Sequence, residues 1–305
     1  MKSYKELLNE LANSGKTPLR ETTAEESARL KKEILKIFLY VAEICNSHGL
    51  TYMLCGGSCL GAIRHNGFIP WDDDLDIAMP RKDYERFKQL CVQGILGNNY
   101  EFRFPSSQKD SPVMFMKVYR KDSLDLEMGA ENSPYPKGIF LDIFIIDGVP
   151  NNIIIRKIKG FVANSIRLIA NMVISAKYPS TIQEEFVSLD SKLQKQYKIR
   201  LFMGKFFSLI SHRKWVYWYD KLVADDSKTS YLSIPTGRKL YLGETLDSNV
   251  FLPVKKALFE GYEVPIPNDS TTYLQNLYGN FMQIPPKDKR ERHFIIDLKF
   301  PKENV

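Results

Sequence analysis

The residues best suited to chemistry lie in one stretch, Leu54 to Pro80, which reads LCGGSCLGAIRHNGFIPWDDDLDIAMP. Asp72, Asp73, Asp74 and Asp76 supply carboxylates, and polar and apolar positions alternate in Asp74-Leu75-Asp76-Ile77-Ala78. A period of two puts Asp74 and Asp76 on one face of a strand, with Leu75 and Ile77 on the other. Side chains two apart on a strand have Cα atoms roughly 6.5 to 7 Å apart. That spacing suits one or two Mg²⁺ ions, with Mn²⁺ as the alternative. Like charges so placed repel, and a divalent cation relieves the repulsion. Just upstream, Gly56-Gly57-Ser58 can present backbone N–H groups and a hydroxyl to a phosphate, because glycine permits positive φ and close approach. A phosphate cradle beside a metal-holding pair points to phosphoryl or nucleotidyl transfer.

Two plainer readings compete. An acidic run is commonly a solvated face, but this one is interleaved with Leu75 and Ile77 and follows Gly67-Phe68-Ile69-Pro70-Trp71. A calcium loop starting at Asp72 needs Gly at its sixth position and Glu at its twelfth. Ile77 and Asp83 stand there instead. Farther along, Ile139 to Ile146 (IFLDIFII) is an apolar run with one charge, Asp142. A carboxylate inside such a strand is costly unless it is paired or metal-bound, which makes Asp142 the candidate third carboxylate. Arg64 can clamp phosphate oxygens with its planar fork or pair with a nearby aspartate. Lys117 and Arg120, on the strand-like Val113 to Arg120, are candidates to reach a nucleotide's phosphates. His65 is left out of the chemistry.

These groups need a scaffold, and the local signals supply one. Thr23 followed by Glu26 is a capping-box signature, and Leu30, Ile34, Ile37, Phe38, Val41 and Ile44 recur at helical spacing before Gly49. Thr51 to Leu54 reads as a strand that delivers the chain to the glycines, Ser58 to His65 as a helix, and Arg81 to Cys91 as an amphipathic helix. Near the C-terminus, Ala257 to Pro265 reads as a strand pair turning at Glu260-Gly261, followed by a helix from Thr271 to Leu277 capped by Asp269-Ser270.

The same residues carry a resemblance. Gly56-Gly57-Ser58, Leu60 to His65, Gly67 to Asp74, Asp76, Pro80-Arg81 and Asp83-Tyr84 resemble the LicD family, bacterial phosphocholine transferases related to fukutin-type phosphoglycan transferases. Phe140 to Phe144, Phe259 to Tyr262 and Tyr278 to Asn280 are similar to further parts of it. The resemblance implies an α+β fold, with a nucleotidyltransferase-like mixed sheet core flanked by helices, and places the glycine turn, the DxD strand and a later carboxylate in the catalytic core. It implies Mg²⁺-dependent transfer of a phospho-alcohol from a CDP-alcohol donor, CDP-choline first, to a sugar hydroxyl. The acceptor would be a glycan or lipid-linked glycan such as a teichoic acid, lipopolysaccharide or capsule precursor. Expected roles are Asp74, Asp76 and Asp142 for catalysis and metal, and Gly56, Gly57, Ser58, Arg64, Lys117 and Arg120 for phosphate. A nucleotidyltransferase using ATP or CTP, another polyol-phosphate transferase, and a non-catalytic membrane or glycan-assembly adaptor are the rivals.

Composition is that of an ordinary globular protein: 305 residues, 44% hydrophobic and 26% charged. The expected organisation is an N-terminal extension (1–29), a catalytic core (30–150), a basic and aromatic helical middle subdomain (151–240) and a C-terminal part closing on the core (241–305). The first twenty residues have no signal-peptide pattern and no apolar run is of membrane-spanning length, so a cytoplasmic protein is expected. Cys45, Cys55, Cys59 and Cys91 fit reducing surroundings; a zinc set of Cys45, His48, Cys55 and Cys59 is the lesser reading. Residues 151–221 hold 13 Lys and Arg against 4 Asp and Glu, a local net of +9 in a chain of +7. A packed helical subdomain with a solvated basic face is the plainest account, with peripheral contact to an anionic membrane next. No nucleic-acid motif is present, and nucleic acid is not expected as a partner. Some of the aromatics of His212 to Tyr219 could instead cage a quaternary ammonium.

Overall fold

The computed structural model describes residues 4–106, 113–287, 290 and 294–302. Its centre is a mixed sheet in which strands run in the spatial order Met53–Leu54, Asp76–Pro80, Phe140–Val149, Met116–Arg120, Tyr100–Arg103. Asp76–Pro80 and Phe140–Val149 pair in parallel, and the other ladders in this row are antiparallel. A strand pair, Lys255–Phe259 and Tyr262–Ile266, and a small sheet of Arg20–Glu21, Phe294–Lys299 and Leu124–Glu127 lie outside it. The α+β expectation with a mixed sheet and flanking helices therefore holds.

Strand alternation explains which face of the sheet became core. Ile77, Met116, Val118, Leu141 and Ile143 are buried on one side. The helix Ala24–Ser47 brings Ile34, Ile37, Phe38 and Val41 into the same core, joined by Tyr84 and Phe87 of the helix Arg81–Val92. Each such side chain contributes about 1.5–3 kcal/mol by leaving water. The capping box at Thr23 and Glu26 forms as the sequence predicts. That face is committed to stability, and the other is left for chemistry.

Asp147 reads in the sequence only as the end of a strand. In the fold it is fully buried, and Arg81 grips it bidentately, with Nε to Oδ1 at 2.7 Å and Nη2 to Oδ2 at 2.8 Å. Arg81 Nη1 also meets Asp220 at 2.9 Å. One guanidinium thus ties the sheet to the helix His212–Val223, and Asp147, from which the strand runs on to Val149, is a structural anchor.

The middle segment folds into helices Ile153–Lys177, Thr181–Ser188, Ser191–Phe207 and His212–Val223. The chain then returns to the sheet through Tyr231–Ser233, which pairs with the end of Phe140–Val149. Lys157, Lys198, Lys205 and Lys214 are exposed, as a solvated basic face requires, but on one helix that face is partly turned inward. The first helix turns Arg156, Lys159 and Arg167 toward the protein, while Ile154, Ile158 and Phe161 face solvent. His212 is buried as well, and burial beside Lys177 and Arg213 pushes its pKa down to about 4. It carries no charge at neutral pH and does not belong to the basic face.

Candidate active site

Parallel pairing decides the geometry of the carboxylates. Asp76 and Asp142 are register partners on adjacent parallel strands, and Lys117 is the antiparallel partner of Asp142 on the next. Directly paired residues point to the same face, so Asp76, Asp142 and Lys117 form a row across three strands. The Lys117 ammonium meets Asp142 Oδ1 at 2.7 Å and lies 3.5 Å from the centre of the Phe140 ring. Phe144, two residues beyond Asp142 on the same face, stacks on Phe115 at 4.3 Å.

Asp74 precedes the strand, which starts at Asp76. Its parity persists, because Asp73, Leu75 and Ile77 are buried while Asp72, Asp74 and Asp76 are half-buried. Asp142 N donates to Leu75 O at 3.2 Å, which carries the backbone pairing upstream of the strand. Asp72, Asp74 and Asp76 line one cavity.

The two glycines have a different local role from a free turn. They open the helix Gly56–His65, which follows Cys55 as its N-cap. Gly56 has φ +52°, and a Cβ there would sit 3.2 Å from Asp76 Oδ2. A Cβ on Gly57 would sit 2.8 Å from Asp72 Oδ2. The pair therefore lets two carboxylates lie against bare backbone, a reason for glycine that reading toward a phosphate alone does not reveal. Ser58 is buried, and its Oγ accepts from Asp76 N at 2.8 Å. Gly56 N donates to the Tyr273 hydroxyl at 3.0 Å, tying the C-terminal helix Ser270–Tyr278 to the site.

Two adjoining cavities of about 250 and 280 Å³ share Gly57, Asp72, Arg238 and Tyr278. The larger is lined by Asp72, Asp74 and Asp76 with Phe115, Phe144, Arg167 and Thr236, and the smaller by Arg64, Trp71 and Arg290, while Asp142 and its partner Lys117 line neither. Arg64 donates to Phe281 O at 2.6 Å and to His65 Nε2 at 2.9 Å, so its fork is already oriented by the fold. Arg120 is a correction. Three residues beyond Lys117, it has the opposite strand parity, bonds Asp122 at 2.5 Å and lines neither cavity. Arg167 and Arg238 supply cationic groups there instead. Neither has a local signal, because one comes from the middle helix and the other from the loop after the returning strand.

Electrostatics separates this row from an ordinary strand. Burial raises the Asp76 pKa well above the usual carboxylate range, and Asp74, Asp142 and Asp72 push the same way. Burial also raises Asp142, to about 6, against the pull of Lys117. Hard oxygen donors crowded together fit Mg²⁺ or Mn²⁺ by chemistry. Among the described residues, however, no three His, Cys, Asp or Glu side chains stand in a ready ligand cluster. The zinc reading gains no support either, and all four cysteines are buried free thiols.

Residues 49–148, which hold this row and the glycine helix, match the model of the LicD/FKTN/FKRP nucleotidyltransferase domain. Over these residues the chain is similar to the LicD family. The similarity runs beyond the LicD domain. The chain is 28% identical over 277 residues to the lipopolysaccharide cholinephosphotransferase LicD of Haemophilus influenzae, covering 86% of this chain and 93% of that one. Ribitol 5-phosphate transferase FKRP, of human and of mouse, is 43% identical over 51 residues, which are 17% of this chain and 10% of each of those.

Proposed function

We propose that this protein transfers a phospho-alcohol from a CDP-alcohol, CDP-choline first, to a sugar hydroxyl of a cell-surface glycan precursor at the inner face of the membrane. The observation that carries this reading is the facing of Asp76 and Asp142 across parallel strands beside the glycine helix, inside the stretch similar to the LicD family. The named activities of the bacterial and animal relatives are both transfers of a phospho-alcohol, which supports the reaction class.

The chain's own residues account for binding and proton movement. Arg64, Arg167 and Arg238 face the cavities where the diphosphate would sit, and Gly57 gives it a backbone floor. The acceptor oxygen attacks the phosphorus that bears the alcohol, the bond to CMP breaks, and the hydroxyl proton passes to Asp142. A carboxylate with a pKa near 6 suits that exchange at neutral pH. Lys117 orients Asp142 and offsets its charge until substrate arrives. Asp74, Asp76 and Asp142 are the residues we assign to hold Mg²⁺ or Mn²⁺, which when bound would neutralise charge on the diphosphate. Positioning and charge neutralisation then supply most of the acceleration.

The test is to incubate purified protein and Mg²⁺ with a panel of CDP-alcohols, with and without extracted glycan, and to assay CMP. Glycan-dependent CMP release from one donor is expected. Pyrophosphate release from ATP or CTP in its place would assign a nucleotidyltransferase. No Mg²⁺-dependent binding of any nucleotide would leave an adaptor.

A further inference from the structure

A helix packed on a globular domain normally turns its apolar stripe inward. The helix Ile153–Lys177 does the reverse along its first half. Arg156 lies 3.8 Å from the centre of the Tyr231 ring, Lys159 Nζ donates to Val223 O at 3.4 Å, and Arg167 Nη1 donates to Gly237 O at 3.5 Å. Opposite them, Ile154, Ile158, Phe161 and Leu168 recur at helical spacing with 66%, 61%, 73% and 60% of their surface exposed.

The neighbouring helices also leave apolar rings exposed. Ser191–Phe207 crosses the first helix closely, for a Cβ on Gly204 would meet the Met172 carbonyl oxygen. It leaves Phe202 and Phe206 exposed at 71% and 61%. From Phe206 a run of ring contacts passes to Phe207 at 5.2 Å, to Trp215 at 6.1 Å and to the exposed Trp218 at 5.2 Å. Exposed Lys157, Lys198, Lys205 and Lys214 lie on the same three helices.

We propose that this face docks on an anionic lipid bilayer, with Phe161, Phe202 and Phe206 entering the headgroup boundary and the lysines on acidic headgroups. Charge selects the occupant. The exposed Lys157, Lys198, Lys205 and Lys214 complement an anionic surface, whereas pairing with a second copy would bring two sets of such lysines together against repulsion. Exposed aromatic rings beside cations are the pattern of an interfacial helix. The docking stands apart from the transferase reading and rests on it only for its purpose, presenting a lipid-linked acceptor to the cleft that Arg167 of the same helix lines.

The test is co-sedimentation of the full chain with vesicles of equal parts phosphatidylglycerol and phosphatidylcholine, against phosphatidylcholine alone, at low and high salt. Partition into the anionic vesicles is expected, weakening with salt. The triple variant Phe161→Ser, Phe202→Ser, Phe206→Ser should lose on the order of a hundredfold in partition. Its melting temperature should stay within about 2 °C, because the three rings are exposed. Equal partition of variant and wild type, or wild type left in solution with anionic vesicles, would overturn the proposal. So would light scattering that shows a wild-type dimer, lost in the variant, with no vesicle binding. CMP release on a soluble acceptor, unchanged in the variant, separates failure of docking from failure of the transferase reading.

Discussion

Replacing Asp76 by Asn tests the carboxylate row without disturbing its frame. The bond that places residue 76 runs from its backbone N to Ser58 Oγ and survives the change. Asp76 faces Asp142 across a parallel ladder, where neighbouring strands lie about 5 Å apart. Two unit charges at that distance repel by about 3 kcal/mol at an effective dielectric of about 20. Both carboxyls titrate above their ordinary value of 3.8, Asp142 at about 6 and Asp76 raised by burial and by the neighbouring aspartates. A raised carboxylate supports the fold below the unfolded value near 3.8 and loses that support as pH rises through the folded one. The metal-free variant should therefore melt above wild type at pH 8, by about 5 °C. The gap should narrow as the pH falls through 6 toward 3.8. Added Mg²⁺ should raise the wild-type melting temperature and leave the variant unchanged, and turnover should fall by about a thousandfold. Thermal denaturation at several pH values, with and without Mg²⁺, reads each of these. A variant that melts below wild type at pH 8, or that gains as much from Mg²⁺, would refute the reasoning.

Other outcomes follow from the same geometry. Gly57→Ala would place a methyl 2.8 Å from Asp72 Oδ2, so donor affinity measured by calorimetry should fall while the fold, by circular dichroism, persists. Asp147→Asn breaks the buried bidentate pair with Arg81 and should cost about 3–5 kcal/mol in urea unfolding. Arg238→Ala should raise the KM for the CDP-alcohol about tenfold or more, whereas Arg120→Ala, which lines neither cavity, should leave it unchanged.

The sequence by itself determined the local elements and the chemistry they carry. The capping box at Thr23, the alternation through Asp76 and the single charge in the apolar run Ile139 to Ile146 are signals of a few residues each, and short-range rules read them directly. Tertiary structure decided what those signals meet. Asp76 and Asp142 are far apart along the chain, and only the parallel register sets them side by side, with Lys117 opposite. The same holds for Arg120, turned away by one step of strand parity, and for Arg167 and Arg238, brought in from distant segments. The first middle helix shows the limit most plainly. Its periodicity reveals that one face is apolar, but which face turns inward depends on what lies beneath, here Tyr231 and the carbonyls of Val223 and Gly237. Local pattern fixes which residues share a face; long-range packing fixes what that face touches.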